Sequence, residues 1–399
     1  MLHNGKMKED SYITKQRIDK ASLWKGKVLP LARLDMELTE RCNNNCLHCC
    51  INLPKDDLEA QKRELSTGEI KNILREVVSL GCLSVRFTGG EPLLREDFEE
   101  LYIFTRKLGI KVLIFTNATL ITEHLAELFS RIPPLEKIEV TVYGMKRESY
   151  EAVTRTPGSY EAAFKGMNLL LEHKVPFVVK GALLPQNKEE IDEFEKWAAK
   201  IPWMDKPLSY SMFFDLRCRR DNGKSEAIKN LRITPEEGLK ILTYNRETYF
   251  KEMREFCSKF MRPPGDKLFS CGSGRDGGCV DAYGYFQPCL MLRHPGCVYN
   301  LRDGSLKDAL ENFFPEIRKM KSNNPEYLNR CAKCFLKGLC EQCPAKSWME
   351  HGTLDTPVEY LCRVAHAQAK FLGLLQEGEK SWEVEGWQQR IREFVEKES

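Results

Sequence analysis

Six short apolar segments alternate with longer helical stretches between about residues 33 and 214, and this alternation constrains the fold more than any other feature. The segments are rich in β-branched and aromatic residues, as strands are. They read LARLDMELT, LSVRFTGG, KVLIFTN, KIEVTVYG, PFVVKGALLP and LSYSMFFDL. Strands joined by helices form right-handed βαβ units. The pattern therefore predicts an α/β fold with a parallel sheet, either open and doubly wound or curved into a partial barrel.

The stretches between the segments carry apolar residues at helical spacing, and several open on Ser, Thr or Asn, which cap helices. The predicted helices are 67–80, 98–108, 123–129, 160–172 and 189–199. Ligands of parallel α/β folds gather at the carboxyl ends of the strands. Residues that directly follow the six segments are therefore the first candidates for a functional site.

The composition changes near residue 262. From there to about residue 366 the chain is rich in Gly, Pro and Cys and has little periodicity, as expected where a metal holds short loops together. The predicted organisation is an N-terminal extension (1–32), a core with a linker helix (33–261), a cysteine-rich domain (262–375) and a helical tail (376–399).

Charge and hydropathy exclude several classes of partner. The 61 basic and 58 acidic side chains leave a net charge of +3, spread along the chain, so no nucleic-acid partner is expected. No apolar run approaches the roughly 18 residues that span a bilayer, so neither a membrane partner nor a signal peptide is predicted. We expect a cytoplasmic protein, in which the 16 cysteines favour metal binding over disulfides.

Three cysteines spaced C-x3-C-x2-C follow the first segment, in ERCNNNCLHCC. They are Cys42, Cys46 and Cys49. A structural metal site takes four protein ligands, whereas three thiolates would leave one iron of a 4Fe-4S cluster open. With His48 as a fourth ligand the loop could instead hold zinc. Cys50 is surplus and is predicted to be a small buried apolar residue.

A second motif, FTGGEP, follows the second segment. Gly89 and Gly90 would let the backbone approach a ligand closely. The carboxylate of Glu91 can accept hydrogen bonds from an ammonium group. Alone, Gly-Gly-Glu-Pro is also a common turn.

The two motifs together resemble the radical S-adenosylmethionine (SAM) superfamily, over roughly residues 33 to 214. The resemblance implies a partial (β/α)6 barrel of the TIM type, with a 4Fe-4S cluster on the three cysteines and SAM chelated to its open iron. Reductive cleavage of SAM would then give methionine and a 5′-deoxyadenosyl radical that abstracts hydrogen. A flavodoxin- or ferredoxin-type protein is the implied reductant.

The resemblance also assigns residues to SAM. Gly89, Gly90 and Glu91 would bind its amino end, and His48 occupies a position that the family often fills with an aromatic ring beside the adenine.

Two further assignments follow along the strands. Thr116 and Asn117 end the third segment, where a polar side chain could reach the ribose. Arg155 is the candidate for the SAM carboxylate, since a guanidinium matches carboxylate geometry. Either assignment could instead reflect ordinary loop polarity.

A second group of cysteines lies in the C-terminal region. The segment YLNRCAKCFLKGLCEQCPAKS reads C-x2-C-x5-C-x2-C, and GYFQPC ends on a G-x4-C cysteine. Eight cysteines are the number that two fully ligated 4Fe-4S clusters require, although the spacing alone would also suit two zinc sites. The eight are Cys271, Cys279, Cys289, Cys331, Cys334, Cys340, Cys343 and Cys362.

Beside the barrel motifs, this arrangement resembles the SPASM domain, which binds two auxiliary 4Fe-4S clusters and would bring the total to three. Cys297 is an alternative to Cys279, and the last C-x2-C gap is x3 more often in the family. On the resemblance, the ligands are Cys271, Cys279, Cys289 and Cys343 for the nearer cluster and Cys331, Cys334, Cys340 and Cys362 for the farther one.

The residue after the G-x4-C cysteine, Leu290, argues against one branch of the family. In the sulfatase-maturing branch an acidic residue follows the G-x4-C cysteine, so a sulfatase-maturing enzyme is not expected. The SPASM resemblance implies a peptide substrate and an oxidative modification such as a crosslink, with a small molecule as the alternative. The roughly thirty residues before the first strand are too few for a leader-binding domain, so a separate leader-binding protein is a possible partner. Four residues after the sixth segment either face the substrate or form a solvated loop: Asp215, Arg217, Cys218 and Arg219.

Overall fold

The computed structural model describes residues 31–49, 51–206, 208–211, 222–261, 263–340 and 342–396. Most of the predicted N-terminal extension lies outside these ranges. So do Cys50, Asp215, Arg217, Cys218 and Arg219.

The strands of the described ranges form one large sheet and one two-stranded pair. They are β1 (Arg33–Thr39), β2 (Arg41–Cys42), β3 (Leu53–Pro54), β4 (Ser84–Gly89), β5 (Lys111–Thr116), β6 (Ile138–Val142), β7 (Phe177–Ala182), β8 (Ser209–Ser211), β9 (Gly277–Val280), β10 (Tyr285–Gln287) and β11 (Tyr299–Asn300).

Helices cover much of the remainder, and none within the described ranges is long and apolar enough to cross a bilayer. They are α1 (Leu58–Arg63), α2 (Thr67–Ser79), α3 (Phe98–Lys107), α4 (Glu123–Arg131), α5 (Arg147–Thr154), α6 (Ser159–Glu172), α7 (Ile191–Ala198), α8 (Asn222–Lys229), α9 (Pro235–Leu242), α10 (Arg246–Phe260), α11 (Leu306–Asp308), α12 (Phe314–Ile317), α13 (Pro325–Asn329), α14 (Lys337–Cys340), α15 (Pro344–His351), α16 (Glu359–Phe371) and α17 (Trp387–Glu396).

Local sequence accounts for the helices of the first half. In α2, the Ser66 hydroxyl accepts from the Glu69 N–H while the Glu69 carboxylate accepts from the Ser66 N–H, a capping box that fixes the start of the helix. Ile70, Leu74 and Val77 then fall on one buried face. The five predicted helices correspond to α2, α3, α4, α6 and α7, with ends that differ by a few residues.

The six predicted strands are β1, β4, β5, β6, β7 and β8, which pair in that order and in parallel. All six contribute residues to the wall of a single cavity: Glu37, Thr88, Phe115, Thr141, Lys180 and Ser211. One cavity can be lined by successive strands only if the sheet curves around it. The predicted fold class, an α/β partial barrel with a loop-rich C-terminal region, is confirmed.

The C-terminal region adds three strands that the sequence pattern did not predict. β9 pairs in parallel with the free edge of β1, and β10 and β11 continue the sheet in antiparallel fashion. These strands have four, three and two residues, too few to show a period of two. The sheet therefore runs without interruption from the barrel into the cysteine-rich region.

The chain has a second apolar core beyond the one that covers the barrel sheet. It joins α10, which follows the barrel, to α14, α16 and α17, through buried residues such as Phe335, Leu339, Ala369 and Phe394. Cys334 and Cys340 pack against it. The C-terminal region thus has apolar packing of its own as well as its cysteines.

Candidate active site

The cysteine loop follows β1 and lies over the carboxyl ends of the barrel strands. Two backbone hydrogen bonds hold it to the end of α5: Asn45 N–H donates to the Thr154 carbonyl at 2.9 Å, and Leu47 N–H to the Val153 carbonyl at 2.9 Å. Cys42, Cys46 and Cys49 all line one cavity of about 300 Å³. The structure therefore brings these three predicted ligands together.

The surroundings of the thiols oppose their ionisation. Burial raises the pKa of Cys42 to about 12, with a further contribution from the Glu91 carboxylate. Burial and the two neighbouring thiols raise the pKa of Cys46 well above its ordinary value. Donors partly offset this: Asn44 N–H lies 3.4 Å and Asn117 Nδ2 3.8 Å from the Cys42 sulfur. Three thiols held this close become thiolates together only when a metal centre neutralises them.

Gly89 and Gly90 also line this cavity. Neither position has room for a side chain. A Cβ on Gly89 would lie 2.1 Å from the Thr39 carbonyl oxygen, and one on Gly90 would lie 2.2 Å from the Arg41 carbonyl oxygen. Gly90 N–H also donates to the Thr39 carbonyl at 2.7 Å. The two glycines thus let the end of β4 pack directly on the start of the cysteine loop.

Glu91 lies behind the cavity wall and is 0% exposed. Its carboxylate accepts hydrogen bonds from the Thr116 hydroxyl at 2.8 Å, the Asn117 N–H at 2.8 Å and the Leu93 N–H at 3.1 Å. Burial raises its pKa to about 7, against the effect of these donors. Glu91 therefore joins the ends of β4 and β5, and its direct contact with SAM stays a prediction.

Thr116 and Asn117 line the cavity, as their place at the end of β5 predicted. The Asn117 amide donates to the Asn43 side chain at 3.0 Å as well as approaching Cys42. The two residues stand between Glu91 and the cysteine loop. Their predicted contact with the ribose is consistent with this position and remains untested.

Of the two remaining SAM candidates, His48 lines the cavity and Arg155 is not among its lining residues. His48 lines the cavity with its ring centroid 5.5 Å from that of Tyr143, at the end of β6. Arg155 follows α5 with a positive φ of 51° and donates to the Asn45 carbonyl at 2.9 Å and the Asn45 amide oxygen at 3.0 Å. These contacts make Arg155 a brace of the cysteine loop. Its assignment to the SAM carboxylate stays a prediction.

Charged residues inside the barrel were not singled out from the sequence. Lys180 lines the cavity, pairs with Glu139 at 3.0 Å and lies 3.4 Å from the centre of the Phe115 ring. Arg86 lies 4.5 Å from the same ring and pairs with Asp35 at 3.1 Å. The sequence does contain a sign of these residues, namely a charged residue in the middle of an apolar strand: VRF in β4 and VKG in β7.

The C-terminal region contributes to the lining of the cavity. Leu290 lines it, one residue after Cys289. Arg293 forms ion pairs with two buried carboxylates of the barrel, Glu37 and Glu40. Because the Arg293 link also reaches the residues just before Cys42, it ties the C-terminal region to the cysteine loop.

Four of the C-terminal cysteines surround a second cavity. Hydroxyl, imidazole and guanidinium groups approach their sulfurs: Ser381 Oγ lies 3.0 Å from Cys334, and His366 Nδ1 lies 3.5 Å from Cys362. Arg330 donates to Cys362 at 3.7 Å. The cysteines that line this cavity are Cys331, Cys334, Cys340 and Cys362, the set assigned to the farther cluster.

The set assigned to the nearer cluster is only partly assembled. Burial is the main cause of the raised pKa of Cys289, and the charge of Cys271 adds to it. Burial is also the main cause of the raised pKa of Cys343, and the charge of Cys289 adds to it. Cys279 instead lies in β9, buried beside carboxylates of β1. Its alternative Cys297 is buried, and burial alone raises its pKa to about 11.

Comparison with known proteins places this geometry in a family. Residues 36–198 match the radical SAM superfamily. The chain is 26% identical over 338 residues to the AdoMet-dependent heme synthase of Methanosarcina barkeri, covering 79% of this chain and 92% of that protein. It is also 26% identical over 340 residues to the mycofactocin maturase MftC of Mycolicibacterium smegmatis, covering 81% of each.

The fold is shared with a solved structure described as native anSMEcpe with bound AdoMet. The TM-score is 0.60 at 16% identity, over 86% of this chain and 96% of that one. The matched residues include both the cysteine loop and the Gly-Gly-Glu-Pro turn, whose side chains and backbone meet at one cavity. Residues 36–198, which hold both motifs, therefore form the radical SAM domain that the sequence predicted, and the chain is an enzyme.

Proposed function

We propose that this enzyme cleaves SAM reductively, abstracts hydrogen from a peptide substrate and completes an oxidative modification, such as a crosslink, with two auxiliary 4Fe-4S clusters in a SPASM-type C-terminal domain. One observation carries the proposal. Cys42, Cys46 and Cys49 line a cavity that is also lined by Leu290, the neighbour of Cys289. A radical formed at the cysteine loop and an electron acceptor in the C-terminal region would therefore meet at one substrate.

The side chains present fit iron–sulfur clusters. Thiolates are their usual ligands, and three on the loop leave one iron for SAM. Four further cysteines surround the second cavity. A reduced cluster held by these thiolates would supply the electron that cleaves a carbon–sulfur bond of SAM. The protein itself would bind and orient SAM and exclude water.

The residues of the barrel would hold SAM in the orientation that the cleavage needs. The backbone of Gly89 and Gly90 and the side chains of Thr116 and Asn117 form the wall beside the cysteine loop. His48 lies on the same cavity, held next to Tyr143. Glu91 fixes the position of the wall from behind.

A peptide is the substrate class that the fold favours. A structure described as native anSMEcpe with bound AdoMet and Cp18Cys peptide shares this fold with a TM-score of 0.58, over 86% of this chain and 97% of that one. MftC is described as a maturase. We propose a flavodoxin- or ferredoxin-type reductant, and a separate protein that binds the leader of the peptide.

A small-molecule substrate in cofactor biosynthesis is the second candidate. The similarity to an AdoMet-dependent heme synthase covers 92% of that protein, which favours a tetrapyrrole substrate. The two candidates use the same SAM chemistry and differ in what enters the cavity.

The test is the formation of 5′-deoxyadenosine by anaerobically reconstituted protein under reducing conditions. Short peptides encoded beside the gene and an iron tetrapyrrole are each added, and the substrate is the one that raises the rate and changes in mass. A variant with Cys42, Cys46 and Cys49 all replaced by Ala should form no 5′-deoxyadenosine, because no iron would remain to chelate SAM. Cys82→Ala is the control, since Cys82 is buried and its sulfur lies 3.2 Å from the Ser84 carbonyl oxygen, away from the cavity. Continued SAM cleavage by the triple variant would refute the site.

A further inference from the structure

Two cationic side chains line the second cavity beside its four cysteines. They are Arg330 and Lys337, and none of the described residues in the lining is Asp or Glu. The cavity therefore presents positive charge next to the sulfurs assigned to the farther cluster.

Arg330 contacts one of these sulfurs directly. Its Nη2 donates to the Cys362 sulfur at 3.7 Å, and its guanidinium lies 5.0 Å from the centre of the Trp382 ring, which lines the same cavity. The Nε–H of Arg330 is buried and has no hydrogen-bond partner within the described ranges. A buried donor without a partner is costly, so a group that accepts hydrogen bonds, such as the sulfur of a cluster, fits this side of the cavity.

The charge of Arg330 is only partly cancelled by its carboxylate partners. It pairs with Glu326 at 2.7 Å and with Glu359 at 2.6 Å. The side chains of these two carboxylates are 50% and 60% exposed, against 23% for Arg330. Water screens the carboxylates more than the guanidinium, and neither carboxylate lines the cavity.

Lys337 adds a second cation at the start of α14, the helix that ends at Cys340. Its hydrogen bonds within the described ranges go to neutral oxygens. The Nζ donates to the Tyr327 hydroxyl at 2.6 Å and to the carbonyls of Gly265 and Lys267 at 3.2 and 3.3 Å. These contacts hold the ammonium in the wall of the cavity without neutralising it.

The cysteine loop lies among different charges. Glu37 lines its cavity, and the Glu91 carboxylate adds to the pKa of Cys42, which burial mainly raises. Lys180 lines that cavity too, but its ammonium pairs with Glu139 at 3.0 Å. An added negative charge is therefore stabilised more in the second cavity than at the cysteine loop.

This difference bears on how tightly each cluster would hold an electron. Net charge, hydrogen bonds to the sulfurs and solvent exposure set the reduction potential of an iron–sulfur cluster. Reduction adds one negative charge, so nearby cations and N–H donors favour the reduced form.

We propose that Arg330, assisted by Lys337, raises the reduction potential of the farther cluster and so makes that cluster the electron acceptor of the oxidation. The inference rests on the proposed function, which supplies the cluster and the substrate radical. In the oxidation a bond forms between the radical carbon and a second atom of the peptide, as the bond from that atom to hydrogen breaks. The proton leaves to solvent and the electron enters the cluster. Arg330 is a positioning residue, because it acts through the charge of the cluster.

The experiment uses the full chain, reconstituted anaerobically with iron and sulfide, and compares Arg330→Met, Arg330→Lys and Lys337→Met with the wild type. Each protein is titrated with a reductant while its electron paramagnetic resonance spectrum is followed, which gives a midpoint potential for each cluster. The signal that is absent when Cys331 and Cys334 are both replaced by Ala identifies the farther cluster.

The expected result is a lower potential for this cluster alone. In Arg330→Met the ratio of reduced to oxidised cluster at a fixed applied potential should fall about tenfold, which is about 59 mV for a one-electron couple. Arg330→Lys should shift less, because it keeps the charge and loses only the planar donor group. Lys337→Met should shift in the same direction as Arg330→Met.

Arg363→Met is the matched control. It removes the same charge beside Cys362, but from an exposed side chain that is not part of the cavity lining. An unchanged potential in Arg330→Met, or an equal shift in Arg363→Met, would overturn the inference alone. Where Arg330→Met does not retain its iron, Lys337→Met decides, and a wild-type potential in that variant counts against the inference. About four irons in the wild type would instead remove both auxiliary clusters, and with them the proposed function as well.

Discussion

Replacing Glu91 by Gln tests whether the cavity wall is set by one buried carboxylate. The side chain accepts three hydrogen bonds, from Thr116, Asn117 and Leu93, and touches no solvent. The amide of Gln has one accepting oxygen where the carboxylate has two. In one orientation its NH2 group faces the Asn117 N–H, and in the other it faces the Leu93 N–H and the Thr116 hydroxyl.

At least one hydrogen bond is therefore lost in either orientation. A hydrogen bond to a charged group contributes about 1.5–3 kcal/mol, and a buried donor left without a partner costs about 1–3 kcal/mol. Thr116 and Asn117 line the cavity beside the cysteine loop. If SAM binds there as proposed, part of this cost falls on SAM binding. We expect the free energy of SAM binding to weaken by about 1–3 kcal/mol. Each step of about 1.4 kcal/mol lowers the affinity roughly tenfold.

The assay is equilibrium binding of SAM to reconstituted Glu91→Gln, together with its iron content and its free energy of unfolding. Glu96→Gln is the matched control, because Glu96 is exposed and the chemical change is identical. The iron content should stay at about twelve per chain, as three 4Fe-4S clusters require. Wild-type affinity for SAM in Glu91→Gln would refute the reasoning and leave Gly-Gly-Glu-Pro as only a turn.

Three further predictions concern other parts of the chain. Gly90→Ala should displace the cysteine loop, since its Cβ would lie 2.2 Å from a backbone oxygen of that loop, and we expect loss of about four irons and of 5′-deoxyadenosine formation. Replacing both Cys331 and Cys334 by Ala should leave about eight irons, with SAM cleaved at a reduced rate and no finished product. Arg390→Met should raise the pKa of Glu379, which hydrogen bonds from Arg390 now hold at about 2, as measured by an NMR titration of its carboxyl carbon. Because that pKa lies below the unfolded value, the ion pair stabilises the tail above about pH 4.5, and its contribution is lost as the pH falls toward 2.

Each of these has its own control. Gly68→Ala introduces the same methyl group where nothing lies within 4 Å, so it should leave the iron content unchanged. If the double cysteine variant makes product at the wild-type rate, the farther cluster has no role in the oxidation. The second apolar core predicts that this variant remains monodisperse, which is checked before the activity is read. An unchanged Glu379 titration in Arg390→Met would mean that the pair is not formed in solution.

The barrel was predictable because its signals are local. The six parallel strands, β1 and β4 to β8, each appear in the sequence as an apolar run. Each predicted helix has a cap or an amphipathic face within its own residues. The cysteine loop and the Gly-Gly-Glu-Pro turn were identifiable for the same reason. Their chemistry depends on spacing along the chain, which survives without knowledge of the fold.

The amino-acid sequence by itself thus determined the fold class, the three cysteines of the loop and the four that surround the second cavity. Only the tertiary structure decided where long-range partners lie. Glu91 faces the end of β5, Arg155 braces Asn45, and Cys279 enters a strand that pairs with β1. A periodic pattern reports which face of an element is apolar, but it carries no information on which distant element meets that face. These contacts join residues tens to hundreds of positions apart, so they follow from the packing of the folded chain.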